Sequence, residues 1–327
     1  MGVATALLIS TLLYGYFKIS TPLKGQRLKV SIVQPNIAQK LKWNPKYGQV
    51  IMQTYGDLTR RAAKEDPALI VWPETATPRS ITENLGLFRQ VENLAHEAGA
   101  PILLGSSERA KSQKTQDRSK LKFMNSAFLM RSEPVREQIQ RYDKIRLLPF
   151  SEYMPLKEKI PWSYLQIPEV GGFLPGKEVI VFKLPAYRFG ATICWENIFP
   201  DLVRRFVKNG AQFLVNITNE AWFGKTAAPY QFLSMNVFRA VENGVYVIRS
   251  TNTGISCFID PCGRIIDRVR DANGSDIFVR GILNKSITLQ ESNTVYTRYG
   301  DYFIWPCLTF TALFLLIAAV KTNRKYK

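Results

Sequence analysis

An α/β fold is the fold class that this 327-residue sequence predicts, and two features of the chain support it. Short apolar runs alternate with segments of helical periodicity from about residue 27 to 290, which is typical of layered sheets and helices. Several runs, such as Ala68–Trp72, are apolar at every position, as expected for strands that are buried on both faces. Since no internal repeat or low-complexity linker interrupts this region, we predict one α/β domain over 27–290.

The first half of the domain is predicted to alternate strands with helices. The predicted strands are Leu28–Val33, Ala68–Trp72, Pro101–Gly105 and Phe123–Leu129. Helical periodicity covers Tyr47–Glu65 and Leu85–Ala98, and the first of these helices ends before Pro67 because proline cannot continue it. The polar and basic stretch 111–122 is interpreted as an exposed hairpin loop.

The second half continues the same alternation. The predicted strands are Phe189–Ile193, Phe213–Ile217 and Val245–Arg249, and the predicted helices are Pro200–Lys208 and Pro229–Glu242. A hairpin turn is expected around Asp260–Gly263. Cys257 and Cys262 flank that turn, so a disulfide across it and two free thiols are both open.

Both ends of the chain are apolar. Residues 3–17 carry no charge but fall short of the ~20 residues that a membrane-spanning helix needs. A signal peptide is the rival interpretation, and we predict a truncated membrane segment over 1–20. Residues 302–320 are uncharged and begin with Tyr302 and Trp305, which favours a transmembrane helix over a buried core helix. The basic residues of 321–327 predict a cytoplasmic tail, although charge counting alone leaves the orientation nearly tied.

Composition narrows the classes of partner and cofactor. The chain has 44 Lys and Arg against 26 Asp and Glu, a net charge of +18 that suggests a polyanionic partner. We favour a membrane surface over nucleic acid, because the ends are apolar and no RNA-binding or zinc-finger signature is present. The single histidine, His96, is interpreted as a surface residue near the end of a helix. We therefore predict no metal site, no other cofactor and no nucleic-acid partner.

Three positions carry reactive or ionisable residues that a purely structural role would not require. Glu74 follows a buried strand and Pro73, at the kind of strand end where α/β folds place their sites. Lys144 lies in a charged, aromatic and non-periodic loop, and Cys194 ends an apolar strand just before a helix. Each has a structural alternative: a solvated loop carboxylate, a surface pair with Asp143, and a buried structural thiol.

Taken together, these positions resemble a known family. The motifs Trp72-Pro-Glu-Thr75, Tyr142-Asp-Lys144 with Leu147-x-Pro-Phe-x-Glu152, and Ile193-Cys-Trp-Glu196 resemble the nitrilase superfamily in type and order. Further motifs are similar to its apolipoprotein N-acyltransferase branch: Gln34-Pro-Asn-Ile37 followed by Leu41-Lys-Trp43, Asn219-Glu-Ala-Trp-Phe-Gly224, and Ser250-Thr-Asn-Thr-Gly254. The resemblance covers about residues 28 to 270 and the final apolar helix. It implies a four-layer αββα sandwich.

The resemblance also implies roles for individual residues. Glu74 would act as general base, Cys194 as the nucleophile that forms a thioester, and Lys144 as the stabiliser of the oxyanion. The supporting residues that match the family are Glu152 and Glu196, which would orient Lys144, and Trp43 and Trp195, which would lie near the acyl chain. Asn125 and Trp222 are weaker candidates for the same surroundings.

The same resemblance implies lipid substrates and a membrane location. The acyl donor would be a phospholipid, and the acceptor would be the α-amine of a lipid-modified N-terminal cysteine of a lipoprotein. The catalytic domain would lie on the periplasmic side of the bacterial inner membrane. The family carries several membrane helices before this domain, so we expect most of them to be missing here. Glu220 stands where the family usually has Asp.

Three other functions compete with acyl transfer. A membrane-anchored amidase that hydrolyses a small C–N substrate would use the same three residues, with water resolving the thioester. A catalytically silent membrane-bound binding protein is the second alternative, and intact Glu74, Lys144 and Cys194 speak against it. A basic nucleic-acid binder ranks last.

Overall fold

A computed structural model describes residues 2–42, 44–110, 121–131, 139–156, 159–160, 172–291 and 294–325. The loop predicted over 111–122 lies almost wholly outside the described residues, as does Trp43. The described strands are β1 Arg27–Gln34, β2 Leu69–Val71, β3 Ile102–Arg109, β4 Phe123–Met130, β5 Gln140–Asp143, β6 Val181–Lys183, β7 Arg188–Ile193, β8 Phe213–Thr218, β9 Tyr246–Thr251, β10 Cys257–Ile259, β11 Ile265–Arg268 and β12 Gly281–Thr288. The described α-helices are α1 Gly2–Ser20, α2 Gln39–Lys42, α3 Gly48–Ala63, α4 Leu85–Glu97, α5 Pro200–Lys208, α6 Ala228–Asn243, α7 Val295–Tyr299 and α8 Ile304–Lys325.

The strands of the described chain form two six-stranded sheets of similar plan. One sheet has the order β12-β1-β2-β3-β4-β5 and the other β11-β10-β9-β8-β7-β6. In the first sheet β1, β2 and β3 are parallel, with Val30 opposite Leu69 and Ile70 opposite Ile102. In the second, β7, β8 and β9 are parallel, and antiparallel strands flank the parallel core of each sheet. The parallel strands of each sheet therefore end at a common edge, where a site can assemble.

Alternation along the strands builds two cores. Leu69 and Val71 of β2 face the core between the sheets, whereas Ile70 and Trp72 face the helices α3 and α4. Both cores exclude solvent, so β2 is apolar at every position, as its sequence predicts. Helices α5 and α6 cover the outer face of the second sheet, and the result is the four-layer αββα sandwich that the resemblance implied.

Local sequence sets the helix boundaries. The side chain of Asn84 accepts a hydrogen bond from the amide of Leu87 and caps α4. Helix α6 ends at Gly244, whose φ of 62° places it in the left-handed region that favours glycine. His96 is exposed in the last turn of α4, as the sequence indicated.

The apolar ends of the chain form exposed helices. Within the described residues, one stretch, Asp301–Lys321, is long and apolar enough to cross a membrane by length and composition, and none of its apolar window is buried. Helix α1 contains a shorter apolar segment, Ala4–Ser20. The carbonyl of Ile19 at its end accepts a hydrogen bond of 3.0 Å from Arg264, which ties α1 to the β10–β11 hairpin.

The hairpin region resolves one alternative that the sequence left open. Cys257 and Cys262 are both free thiols. Cys257 lies in β10 and is fully buried, whereas Cys262 lies in the turn and is partly exposed. No disulfide joins them across the turn.

Candidate active site

Glu74, Lys144 and Cys194 lie on one cavity of about 730 Å³, although they are distant in sequence. They come from strand ends of both sheets: Glu74 follows β2, Lys144 follows β5, and Cys194 follows β7. The cavity is lined by Glu74, Thr75, Ser107, Phe123, Asn125, Lys144, Leu148, Phe150, Ser151, Glu152, Phe173, Cys194, Asn219, Trp222 and Phe223. Carboxylates, an ammonium and a thiol therefore meet against a largely aromatic wall.

The backbone of Glu74 is held in a tight turn. Thr75 has a φ of 45°, a left-handed conformation that non-glycine residues seldom adopt. The turn packs directly on Gly105 of β3, where an added Cβ would lie 2.6 Å from the amide nitrogen of Thr75. The amide of Ala76 donates to the carbonyl of Gly105 over 2.7 Å. A glycine at position 105 is thus required for this close approach.

The carboxylate of Glu74 is buried, and each of its oxygens accepts a hydrogen bond. One oxygen, Oε1, accepts a hydrogen bond of 2.7 Å from Nδ2 of Asn125 and lies 3.7 Å from Nζ of Lys144. The other oxygen, Oε2, accepts a hydrogen bond of 2.7 Å from the backbone amide of Asn219, the residue after β8. These donors fix the orientation of the carboxylate.

Lys144 is 1% exposed and is neutralised by two carboxylates. Its Nζ donates to Oε1 of Glu152 over 2.9 Å, and the backbone amide of Leu148 holds the other oxygen of Glu152 at 2.7 Å. Burial alone would lower the pKa of Lys144, but the charges of Cys194, Glu74 and Glu152 outweigh it and raise that pKa above its usual value. The side chain therefore stays a protonated ammonium at neutral pH.

Cys194 sits in a strained turn at the end of β7. Its φ is 57°, and the 3₁₀ turn Cys194–Ile198 begins there. Nδ2 of Asn216 donates to the carbonyl oxygen of Cys194 over 3.0 Å and supports the strained peptide. Burial raises the pKa of the thiol to about 12, and the charge of Glu74 adds to this, whereas Lys144 and a hydrogen bond with Thr218 oppose it. The resting sulfur is thus a neutral thiol.

Glu196 lies behind the cavity rather than on it. Its carboxylate is fully buried and accepts hydrogen bonds from Tyr142 and from the backbone amides of Ile145 and Arg146. It also accepts a hydrogen bond of 2.8 Å from the backbone amide of Ile193, the residue before Cys194. Glu196 thus joins the chain around Lys144 to the turn that carries Cys194.

The aromatic candidates separate in space. Trp222 lines the cavity and is 66% exposed, so it lies at the mouth. Trp195 is not among the described residues that line the cavity. Its indole N–H donates a hydrogen bond of 2.6 Å to the carbonyl of Arg146, and its ring packs edge-on against Phe199. Trp43 lies outside the described residues. The cavity places Asn125 between Glu74 and Glu152, as a donor to both.

Several contributors escaped the sequence analysis. Phe123 and Phe173 of the cavity wall come from β4 and a loop and belong to no quoted motif, whereas Phe150 stands in the motif that ends at Glu152. Asn219 opens a motif that the resemblance used, but its backbone amide, which contacts Glu74, leaves no trace in the side-chain sequence. In the described part of the chain, no group of three or more His, Cys, Asp or Glu side chains is arranged to hold a metal ion.

This fold and cavity define the class of nitrilase-like α/β sandwiches. Solved structures of similar fold include an amidase of the nitrilase superfamily from Nesterenkonia, at 16% identity and a TM-score of 0.57 over 81% of this chain and 92% of the amidase. Nit3 of Saccharomyces cerevisiae, another superfamily member, has 19% identity and a TM-score of 0.57 over 80% of this chain and 90% of its own. The carbon-nitrogen hydrolase family model matches residues 29–288, and the chain belongs to that family.

Two curated relatives carry the same name. A protein of Geobacter metallireducens named apolipoprotein N-acyltransferase is 38% identical over 98% of this chain and 58% of the relative. One of Pseudomonas aeruginosa with the same name is 31% identical over 90% of this chain and 54% of the relative. The chain thus spans about half the length of the curated relatives it matches.

Proposed function

We propose that the chain carries the catalytic domain of a lipoprotein N-acyltransferase, and that Cys194, Glu74 and Lys144 perform the reaction. The acyl donor is a membrane phospholipid, and the acceptor is the N-terminal amine of a diacylglyceryl-modified lipoprotein. The observation that carries the proposal is the cavity of about 730 Å³, in which an aromatic wall adjoins a buried thiol, an ammonium and carboxylates. The 38% identity to a relative of that name supports the choice of substrates.

The cavity suits an acyl chain better than a small amide. Its volume lies within the range of about 300–1,000 Å³ that is typical of ligand sites. Phe123, Phe150 and Phe173, with Leu148, give it apolar walls that lower the free energy of a buried hydrocarbon. A small amide would leave most of this wall in contact with water.

The first half-reaction forms a thioester. Glu74 accepts the proton of the Cys194 thiol as the sulfur attacks the ester carbonyl carbon of the phospholipid. The oxyanion of the tetrahedral intermediate is stabilised by the ammonium of Lys144. When the intermediate collapses, the C–O bond breaks, and the lysophospholipid leaves as an alcohol with the proton that Glu74 returns.

The second half-reaction moves the acyl group to nitrogen. The neutral amine of the acceptor attacks the thioester carbonyl, and Lys144 again stabilises the oxyanion. Glu74 removes a proton from the amine, the C–S bond breaks, and the sulfur of Cys194 recovers that proton from Glu74. An amide and the resting thiol are the products.

The membrane supplies both substrates. Helix α8 is exposed and apolar, as a membrane anchor would be, and α1 adds a shorter apolar segment. We place the catalytic domain on the periplasmic side of the bacterial inner membrane and the basic residues after 320 in the cytoplasm. Those charges fit the rule that cytoplasmic segments carry an excess of Lys and Arg.

The test is the mass of the Cys194 peptide after the detergent-purified protein is incubated with a diacyl phospholipid. We expect a fatty-acyl adduct that hydroxylamine removes and that Cys194→Ser lacks. A synthetic peptide with an N-terminal diacylglyceryl-cysteine should then discharge the adduct and gain one acyl chain. The exposed Cys307 on α8 provides an internal control, because its peptide should stay unmodified.

Other outcomes would replace the proposal. A protein whose Cys194 reacts with iodoacetamide but never gains an acyl group would not be a phospholipid acyltransferase. Release of ammonia from small aliphatic amides by that protein, lost in Cys194→Ser, would identify it as an amidase instead. If neither reaction takes place at Cys194, the result would favour a catalytically silent binding protein.

A further inference from the structure

Lys42 is a buried lysine for which the proposed chemistry has no role. It ends the short helix α2, is 3% exposed, and does not line the cavity. Its Nζ donates 2.9 Å to the main-chain carbonyl oxygen of Glu74. A lysine is seldom buried in this way without a compensating role, because desolvating an ammonium is costly.

The contact does not depend on the charge of the lysine. Burial lowers the pKa of Lys42 to about 7, and the negative charge of Glu74 opposes that shift. An ammonium and a neutral amine both carry N–H groups, so each form can donate to the carbonyl of Glu74. The hydrogen bond therefore persists on both sides of neutral pH.

A second residue of α2, Gln39, acts on Glu74 indirectly, through Asn219. Oε1 of Gln39 accepts a hydrogen bond of 3.0 Å from Nδ2 of Asn219. The backbone amide of Asn219 in turn donates a hydrogen bond of 2.7 Å to the carboxylate of Glu74. Asn252 completes this support, because its Nδ2 donates 2.9 Å to Oδ1 of Asn219. Helix α2 thus contacts the main chain of Glu74 directly and its carboxylate through Asn219.

We infer that α2 is a clamp on Glu74, and that Lys42 is a positioning residue that holds the main chain of Glu74 so that its carboxylate can take the proton of Cys194. The inference rests on the role proposed for Glu74 as base. The turn needs such a hold, because Thr75 is left-handed and Gly105 packs against it without a side chain. Removing the Nζ donor would leave the carbonyl of Glu74 buried and unpaired, which favours a shifted turn.

The reactivity of Cys194 towards iodoacetamide measures this hold without any lipid. We expect Glu74→Gln to slow alkylation of the Cys194 peptide by about 100-fold, the scale of general-base assistance. Lys42→Met keeps the length and removes the donor, and it should slow alkylation by about 10-fold through a displaced base. Lys40→Met, at an exposed lysine of the same helix, is the matched control and should react as the parent does.

The double variant separates positioning from a loss of packing. If Lys42 acts only through Glu74, Lys42→Met in a Glu74→Gln background should cause no further slowing. A structural role would instead slow both backgrounds equally. Should Lys42→Met fail to fold, Gln39→Met weakens the other contact of the clamp, and we expect a loss of about 3-fold that is likewise absent without Glu74.

Each failure points to a different error. Slow alkylation in Glu74→Gln with parental rates in Lys42→Met and Gln39→Met would overturn the clamp and leave the base intact. Parental alkylation in Glu74→Gln would overturn the base and the clamp together. An absent fatty-acyl adduct, with the alkylation pattern as expected, would overturn only the acyltransferase proposal.

Discussion

Replacing Lys144 with Met tests the charge arrangement of the site through stability. Lys144 lies 2.9 Å from Glu152 and 3.7 Å from Glu74, and all three side chains are nearly inaccessible to solvent. Both carboxylates also accept from the single Nδ2 group of Asn125, so they are close together. Without the ammonium, two negative charges would share one buried site, which folded proteins avoid by protonating one of them.

The protonation cost sets the size of the effect. Adding a proton to a carboxyl above its ordinary pKa of about 4.3 costs about 1.4 kcal/mol per pH unit, which is about 3.7 kcal/mol at pH 7 and about 1 kcal/mol at pH 5. The variant raises the pKa of one folded-state carboxyl above its unfolded value. Its stability is therefore greatest at low pH and falls as the pH rises towards that raised pKa. Relative to the parent, Lys144→Met should lose about 2.7 kcal/mol more at pH 7 than at pH 5.

The assay is urea unfolding of the full chain in detergent at both pH values, followed by tryptophan fluorescence. Lys29→Met is the control, because Lys29 forms an exposed pair with Glu65 at 3.8 Å, and such pairs contribute at most about 1 kcal/mol with little pH dependence. An equal loss of stability for Lys144→Met at pH 5 and pH 7 would refute the reasoning, since the two carboxylates would then not be coupled through the lysine.

Three further predictions concern the turns that carry Glu74 and Cys194. Gly105→Ala would force a Cβ to within 2.7 Å of the Glu74 Cα. We expect the free energy of unfolding in urea to fall by about 1–3 kcal/mol and the alkylation of Cys194 to slow by about 10-fold or more. Gly86→Ala is the control and should change neither, because the atom nearest to its added Cβ lies 3.5 Å away. Asn216→Asp removes the donor to the Cys194 carbonyl, and peptide mass analysis should show about 10-fold slower alkylation. In Glu74→Gln, the alkylation rate of Cys194 should rise about 10-fold per pH unit from pH 6 to 8, because burial still raises the pKa of the thiol and leaves it scarcely ionised in that range; a plateau would contradict this.

The fold was predictable where burial dictates the sequence. Ala68–Trp72 is apolar throughout because β2 is covered by the other sheet on one face and by helices on the other. The strands that escaped prediction lie at or near sheet edges: β5 and β6 have only four and three residues, and β12 has mostly half-exposed positions. Such strands owe their conformation to a partner strand rather than to their own pattern.

The candidate site was predictable only in part, for a similar reason. Glu74, Lys144 and Cys194 stand in recognisable motifs, and the structure brings their side chains to one cavity. Lys42 stands in the motif Leu41-Lys-Trp43 and Asn216 in none, but neither contact could be predicted, because both are with main-chain oxygens that any sequence supplies. Only the folded chain determines which main-chain group a buried donor meets.

The charges of the site explain why four polar residues accompany one thiol in the proposed mechanism. At rest, the ammonium of Lys144 faces the carboxylates of Glu74 and Glu152, and Cys194 is a neutral thiol. Moving the thiol proton to Glu74 leaves the net charge unchanged, and it places the new negative charge on the substrate side of Lys144. Glu152 keeps its 2.9 Å contact with the ammonium throughout, so Lys144 stays charged and in place while Glu74 changes its protonation state. Asn125 donates to both carboxylates and therefore links the residue that exchanges protons to the residue that does not. A buried site with only the thiol, the base and the lysine would lose its fixed counter-charge whenever the base was protonated, and the position of the oxyanion stabiliser would then vary with each proton transfer.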